Sequence, residues 1–154
     1  MSPDPRATQV RTFRTVLLAT DLTAASSEAT DRAIELCARL GARLLIVNVM
    51  DSMRLVGGGA HDRIDQARAE REGILVEVVR EARAAGAAAE FLIWTGDPGN
   101  SLVAAAEAER ADMLVVGTRH RRGAERMLLG SVSDHLVHHA GCPVLVVHPP
   151  KAAD

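Results

Sequence analysis

Five apolar runs set the rhythm of the chain: Thr15–Thr20 (TVLLAT), Leu44–Val49 (LLIVNV), Ala88–Trp94 (AAEFLIW), Met113–Val116 (MLVV) and Val144–Val147 (VLVV). Most are continuous rather than alternating, and each is bounded by turn residues. That pattern fits strands buried on both faces, as in a parallel sheet. Between the runs the apolar period changes to three and four. Ala29, Ala33, Leu36, Cys37 and Leu40 predict a helix that begins at Ser26 or Ser27, with one of these serines as cap, and stops at Gly41. Ile64, Ala67, Ile74, Leu75, Val78, Val79 and Ala82 predict a second helix over 62–85, ended by Gly86. Asp97 as N-cap and Pro98 at the first helical position open a third, to about Glu109. A fourth is expected over Ser131–His139.

Strand and helix alternate throughout, and the chain closes on a last strand. The expected architecture is a single α/β domain: a Rossmann-like, five-stranded parallel sheet of order 3-2-1-4-5 with helices on both faces. The domain is expected over 13–149, between a flexible tail at 1–12, which carries Pro3 and Pro5, and a short tail at 150–154. In such sheets ligands bind beyond the carboxyl ends of the strands, where strand order reverses. Asp21 and Gly117, at the ends of the first and fourth runs, are then the expected rim of a site.

The segment after the fourth run is the richest in chemistry. Met113–Val116 stops at Gly117, and a loop bearing Arg119, His120, Arg121, Arg122 and Arg126 follows. Gly130-Ser131 then opens the fourth helix. A glycine turn that feeds a helix start presents backbone N–H groups to an anion. Gly117 and Gly130 also read simply as a strand-end turn and a helix start, with Ser131 capping the first helical turn. Capping and anion binding use the same amides. Asp21 reads either as the cap of the following loop or as a ligand contact. The arginines read as a solvated loop or as phosphate partners. Neither GxxxxGK[ST] nor GxGxxG occurs.

Composition narrows the function classes. Across 154 residues, 47% are hydrophobic, 25% charged and only 2% aromatic (Phe13, Phe91, Trp94), with a net charge of -2. The core must be built from Val, Leu, Ile, Ala and Met. Nothing favours nucleic acid or an anionic membrane. Cys37 and Cys142 lack CxxC spacing, which fits two small buried hydrophobes in a reducing compartment. The first residues carry no signal-peptide core, and no run of about 18 apolar residues occurs, so the cytoplasm is the expected location. His135 and His138 or His139 share a helix face but belong to no metal-ligand pattern, and no nucleophile–base–orienter triad is evident. No metal centre and no catalytic residue are expected.

Gly117-x-x-His120, nine residues, then Gly130-Ser131-Val132-Ser133 resembles the Gly-x2-Gly-x9-Gly-[Ser/Thr] motif of nucleotide-binding members of the universal stress protein family. VLLATDLTAASSEA (16–29), GDPGNSLVAAAEAERADMLVVGTR (96–119) and GCPVLVV (141–147) extend the resemblance over most of the chain. It implies ATP or AMP as ligand in one branch of the family and none in another. By position, Ala19, Thr20, Asp21 and Val49 would line the adenosine pocket. Gly117, Arg119, His120, Gly130, Ser131, Val132 and Ser133 would surround the phosphates, with or without Mg²⁺. It also implies a homodimer through the last strand, Val144–Val147, in keeping with an apolar edge that needs cover. His120 replaces the second motif glycine. Histidine is one of the residues that tolerate positive φ, and its imidazole either donates to phosphate or fills its place. Three readings follow: an adenine-nucleotide binding module acting in stress response, an interaction protein of the same fold with an altered loop, and a slow ATPase in which Asp21 positions water or Mg²⁺. The first is the leading one, with no enzymatic turnover.

Overall fold

The computed structural model describes residues 12–51, 53, 57–118 and 129–150. The elements run β1 Thr15–Ala19, a 3₁₀ turn Ala24–Ser26, α1 Ser27–Leu40, β2 Arg43–Met50, α2 Ala60–Ala84, β3 Ala88–Thr95, α3 Pro98–Ala108, β4 Met113–Gly117, α4 Ser131–His139 and β5 Val144–Val147. All strand pairs are parallel, as the alternation predicts, and the sheet order is β3-β2-β1-β4-β5, the expected one. Of the expected tails, all but Thr12 and Pro150 lie outside the described residues.

The strands are apolar on both sides because each side meets helices. Val16, Leu18, Leu44, Ile46 and Val115 pack against α1 and α2 through Ala33, Cys37, Leu75 and Val79. Leu17, Leu45, Val47, Leu114 and Val116 pack against α3 and α4 through Leu102, Ala105 and Leu136. Cys37 is fully buried, and burial pushes its thiol up to about 11, so it serves as a small hydrophobe rather than a nucleophile. Burial, and secondarily the Asp112 carboxylate, also raise the Cys142 thiol. Both cysteines are free.

Local signals explain most of the boundaries. Gly41 takes the left-handed conformation at φ 65°, and Ala42 N–H donates to the Cys37 carbonyl at 3.1 Å, closing α1. The Asp97 carboxylate accepts from Asn100 N–H at 3.0 Å, with Pro98 beginning α3. At the opposite end of the strands from Asp21, the Asp112 carboxylate accepts from the amides of Arg14 and Thr15, tying the start of β1 to β4.

Three expectations are corrected. Neither Ser26 nor Ser27 caps α1 with its side chain: the chain enters α1 already wound as the 3₁₀ turn, so both hydroxyls donate backward, Ser26 to the Thr23 carbonyl and Ser27 to that of Ala24. Leu40 and Ile74, assigned to apolar faces, are 44% and 48% exposed, because helical spacing gives a stripe but not its width. Gly117 does not begin a turn. It is the last residue of β4, paired with Val147.

Candidate functional site

After β1 the chain winds outward to β2 and β3, then returns across β1 to β4 and β5. The connections at the ends of β1 and β4 therefore diverge, leaving a cleft there. Its volume is about 640 Å³, within the range of small-ligand sites. Ala19, Thr20 and Asp21 at the end of β1, Asn48 and Val49 in β2, Val116–Thr118 around the end of β4, and Gly130–Ser133 at the start of α4 all line it.

Hydrogen bonds between elements fix the β1 wall. Thr20 N–H donates to the Val47 carbonyl, and the Thr20 carbonyl accepts from Asn48 Nδ2 at 2.9 Å. Thr20 Oγ1 accepts from Leu22 N–H and lies 3.0 Å from Ser26 Oγ. Since Ser26 Oγ already donates to the Thr23 carbonyl, the Thr20 hydroxyl is the donor in that pair. These contacts hold Leu22 at φ 62°, a left-handed conformation that is uncommon for a branched side chain. Asp21 Oδ1 accepts from both the N–H and the hydroxyl of Thr23, so the aspartate caps its loop while its side chain borders the cleft.

The β4 wall is different in kind. The first hydrogen bond inside α4 runs from Asp134 N–H to the Gly130 carbonyl at 2.9 Å. The amides of Ser131, Val132 and Ser133 precede that bond and have no place in the helical ladder. They stand at the positive end of the helix dipole, which suits an anion. Gly130 itself is the cap residue, and its φ of -66° is open to any residue. Ser131 is the first helical residue rather than the cap; the hydroxyl acting at this terminus is that of Ser133, which donates to the Gly130 carbonyl at 3.0 Å. Gly117 has no positive φ, and a Cβ there would meet the Ala29 Cβ at 3.4 Å, an ordinary contact.

Of the residues singled out from sequence, Ala19, Thr20, Asp21, Val49, Gly117, Gly130, Ser131, Val132 and Ser133 share this one cleft. Arg119 and His120, with the other loop arginines, lie outside the described residues. Sequence reasoning missed Asn48, Arg71, Asp97, Gly99 and His135, which also line it. Asn48 left a trace, as the polar interruption of LLIVNV. Arg71 left none: it is an ordinary charge in a charged helix. The His135 and His139 rings lie 4.4 Å apart, and among the described residues no three His, Cys, Asp or Glu side chains gather into a metal site.

The sequence profile of the universal stress protein family matches residues 12–148. The chain belongs to the universal stress protein family. Universal stress protein MJ0531 of Methanocaldococcus jannaschii is 33% identical over 143 residues, covering 90% of this chain and 84% of that protein. A universal stress protein solved in complex with cAMP is 31% identical, with a TM-score of 0.68 over 89% of this chain and 98% of its own. Hypothetical protein MJ0577, at 20% identity, has a TM-score of 0.81 over 92% of this chain and 99% of its own, which shows that the two share a fold. No helix among the described residues is long and apolar enough to cross a membrane.

Proposed function

We propose that this universal stress protein is an adenine-nucleotide binding module, with ATP as the first candidate and AMP the second. The observation that carries the reading is the cleft at the strand-order reversal, which ends on three amides at the start of α4. The phosphates lie against Gly117 and Gly130–Ser133; Arg119 and His120, which the family resemblance assigns to the same phosphates, lie outside the described residues. The adenosine lies against Ala19, Thr20, Asp21 and Val49. The similar protein solved with cAMP supports an adenine ligand. Mg²⁺ would enter with ATP, held by phosphate oxygens and water, since Mg²⁺ keeps several waters and seldom needs a protein cage. Binding rather than turnover is the role, in a stress response, and the two free thiols fit a cytoplasmic setting. The acting form is a homodimer through Val144–Val147, which leave β5 at the sheet edge.

Thermal melts with ATP, AMP and cAMP, each with and without Mg²⁺, test the binding. A ligand at a hundredfold excess over its dissociation constant stabilises the fold by about 2.7 kcal/mol. At least one adenylate should raise the melting temperature, and unchanged melts at millimolar concentrations of all three overturn the reading.

A further inference from the structure

We propose that Arg71 reads the base of the bound nucleotide, donating a hydrogen bond to an acceptor nitrogen on the edge of the purine; the inference rests on the nucleotide reading above. Arg71 lies on α2 one turn after Ala67, and both face the cleft. It is half-buried, although its neighbours Glu70 and Glu72 are exposed. Its Nη1 donates to Asn48 Oδ1 at 2.7 Å. Asn48 is 1% exposed, and its Nδ2 is committed to the Thr20 carbonyl. Asn48 is thus an anchor: it draws the guanidinium inward and fixes it against β2. Among the described residues that bond is the only one Arg71 makes, and no carboxylate stands within ion-pair distance. An arginine turned away from solvent is normally paired, and a guanidinium carries five N–H donors in a fixed fork. This one keeps donors available at the cleft wall.

The topology selects what they meet. The anion-binding amides belong to α4, on the β4 side of β1. Asn48, Val49, Ala67 and Arg71 stand on the β2 side. A nucleotide with its phosphates on α4 extends across β1 and brings its base, not its phosphates, to Arg71. The adenine edge offers three ring-nitrogen acceptors, N1, N3 and N7, and Arg71 has only donors to give.

Calorimetric titration of the wild type and of Arg71→Met with AMP, ribose 5-phosphate and the 1-, 3- and 7-deaza analogues of AMP tests this. Hydrogen bonds to a charged group are worth about 1.5–3 kcal/mol, so Arg71→Met should weaken AMP by about ten- to a hundredfold. Ribose 5-phosphate should bind both proteins alike. One deaza analogue should show a similar loss on the wild type and no further loss on Arg71→Met, the signature of one shared interaction. Ligand-free melts check that the variant is folded, and Arg71→Lys, which keeps a donor, should fall between the two. Equal AMP affinity in wild type and Arg71→Met, or deaza losses that are the same in both proteins, overturn the role of Arg71 while leaving nucleotide binding intact. A wild type that binds none of AMP, ATP and cAMP overturns the nucleotide reading and this inference with it.

Discussion

Asn48 joins three elements through one amide. Its Nδ2 satisfies the Thr20 carbonyl at the end of β1, its backbone sits in β2, and its Oδ1 holds Arg71 of α2. Buried amides persist when both ends are paired, and removing one leaves its partners short. Asn48→Ala strips the Thr20 carbonyl of its side-chain donor and Arg71 of its acceptor. The expected loss is about 1–3 kcal/mol of unfolding free energy, read as a lower urea midpoint at unchanged slope. From sequence, Asn48 shows only that something polar interrupts an apolar run. Its partners lie 28 and 23 residues away, and only folding brings them together. Asp21 was more legible, because its bonds to Thr23 are local and follow from the chemistry of an aspartate at a strand end.

The packing of α3 on α4 depends on a missing side chain. A Cβ on Gly99 would stand 2.8 Å from His135 Cδ2 and 2.9 Å from Cγ, closer than real contacts allow. The helices approach this closely only because Gly99 presents its bare backbone to the imidazole. Gly99→Ala should therefore destabilise the fold by about 1–3 kcal/mol through overpacking. Adding His135→Ala should recover much of that loss, because the two positions share one contact. A chemical denaturation cycle over the four proteins measures it, and additive losses would refute the account. Helix boundaries were readable from Asp97, Pro98 and Gly41, whose effects stay within a turn of the chain. The helix crossing was not, since Gly99 and His135 each look ordinary in isolation.

The sheet ends in two edges, β3 and β5. β5 is four residues of valine and leucine, with Leu145 40% exposed. Apolar edges invite pairing with a like strand, and a two-fold axis satisfies both copies at once. Light scattering should give twice the chain mass for the wild type. Leu145→Arg places a charge against its own symmetry mate and should give the single-chain mass with the fold retained. A monomeric wild type at micromolar concentration would remove the homodimer from the proposed function.

The amino-acid sequence by itself determined the order and kind of every strand and long helix, the parallel sheet, and nine of the residues that share the cleft. The elements and the sheet follow from periodicity and local turn chemistry, which act over a few residues; of the cleft residues, Ala19, Thr20 and Val49 came only from the resemblance to the family. Only the tertiary structure decided that Asn48 anchors Arg71 on one wall, that Gly99 makes room for His135, and that Gly117 ends a strand instead of opening a turn. Those are relations between segments distant in sequence. The hydrophobic collapse that creates them leaves no period in the chain, so they become visible once the layers are packed.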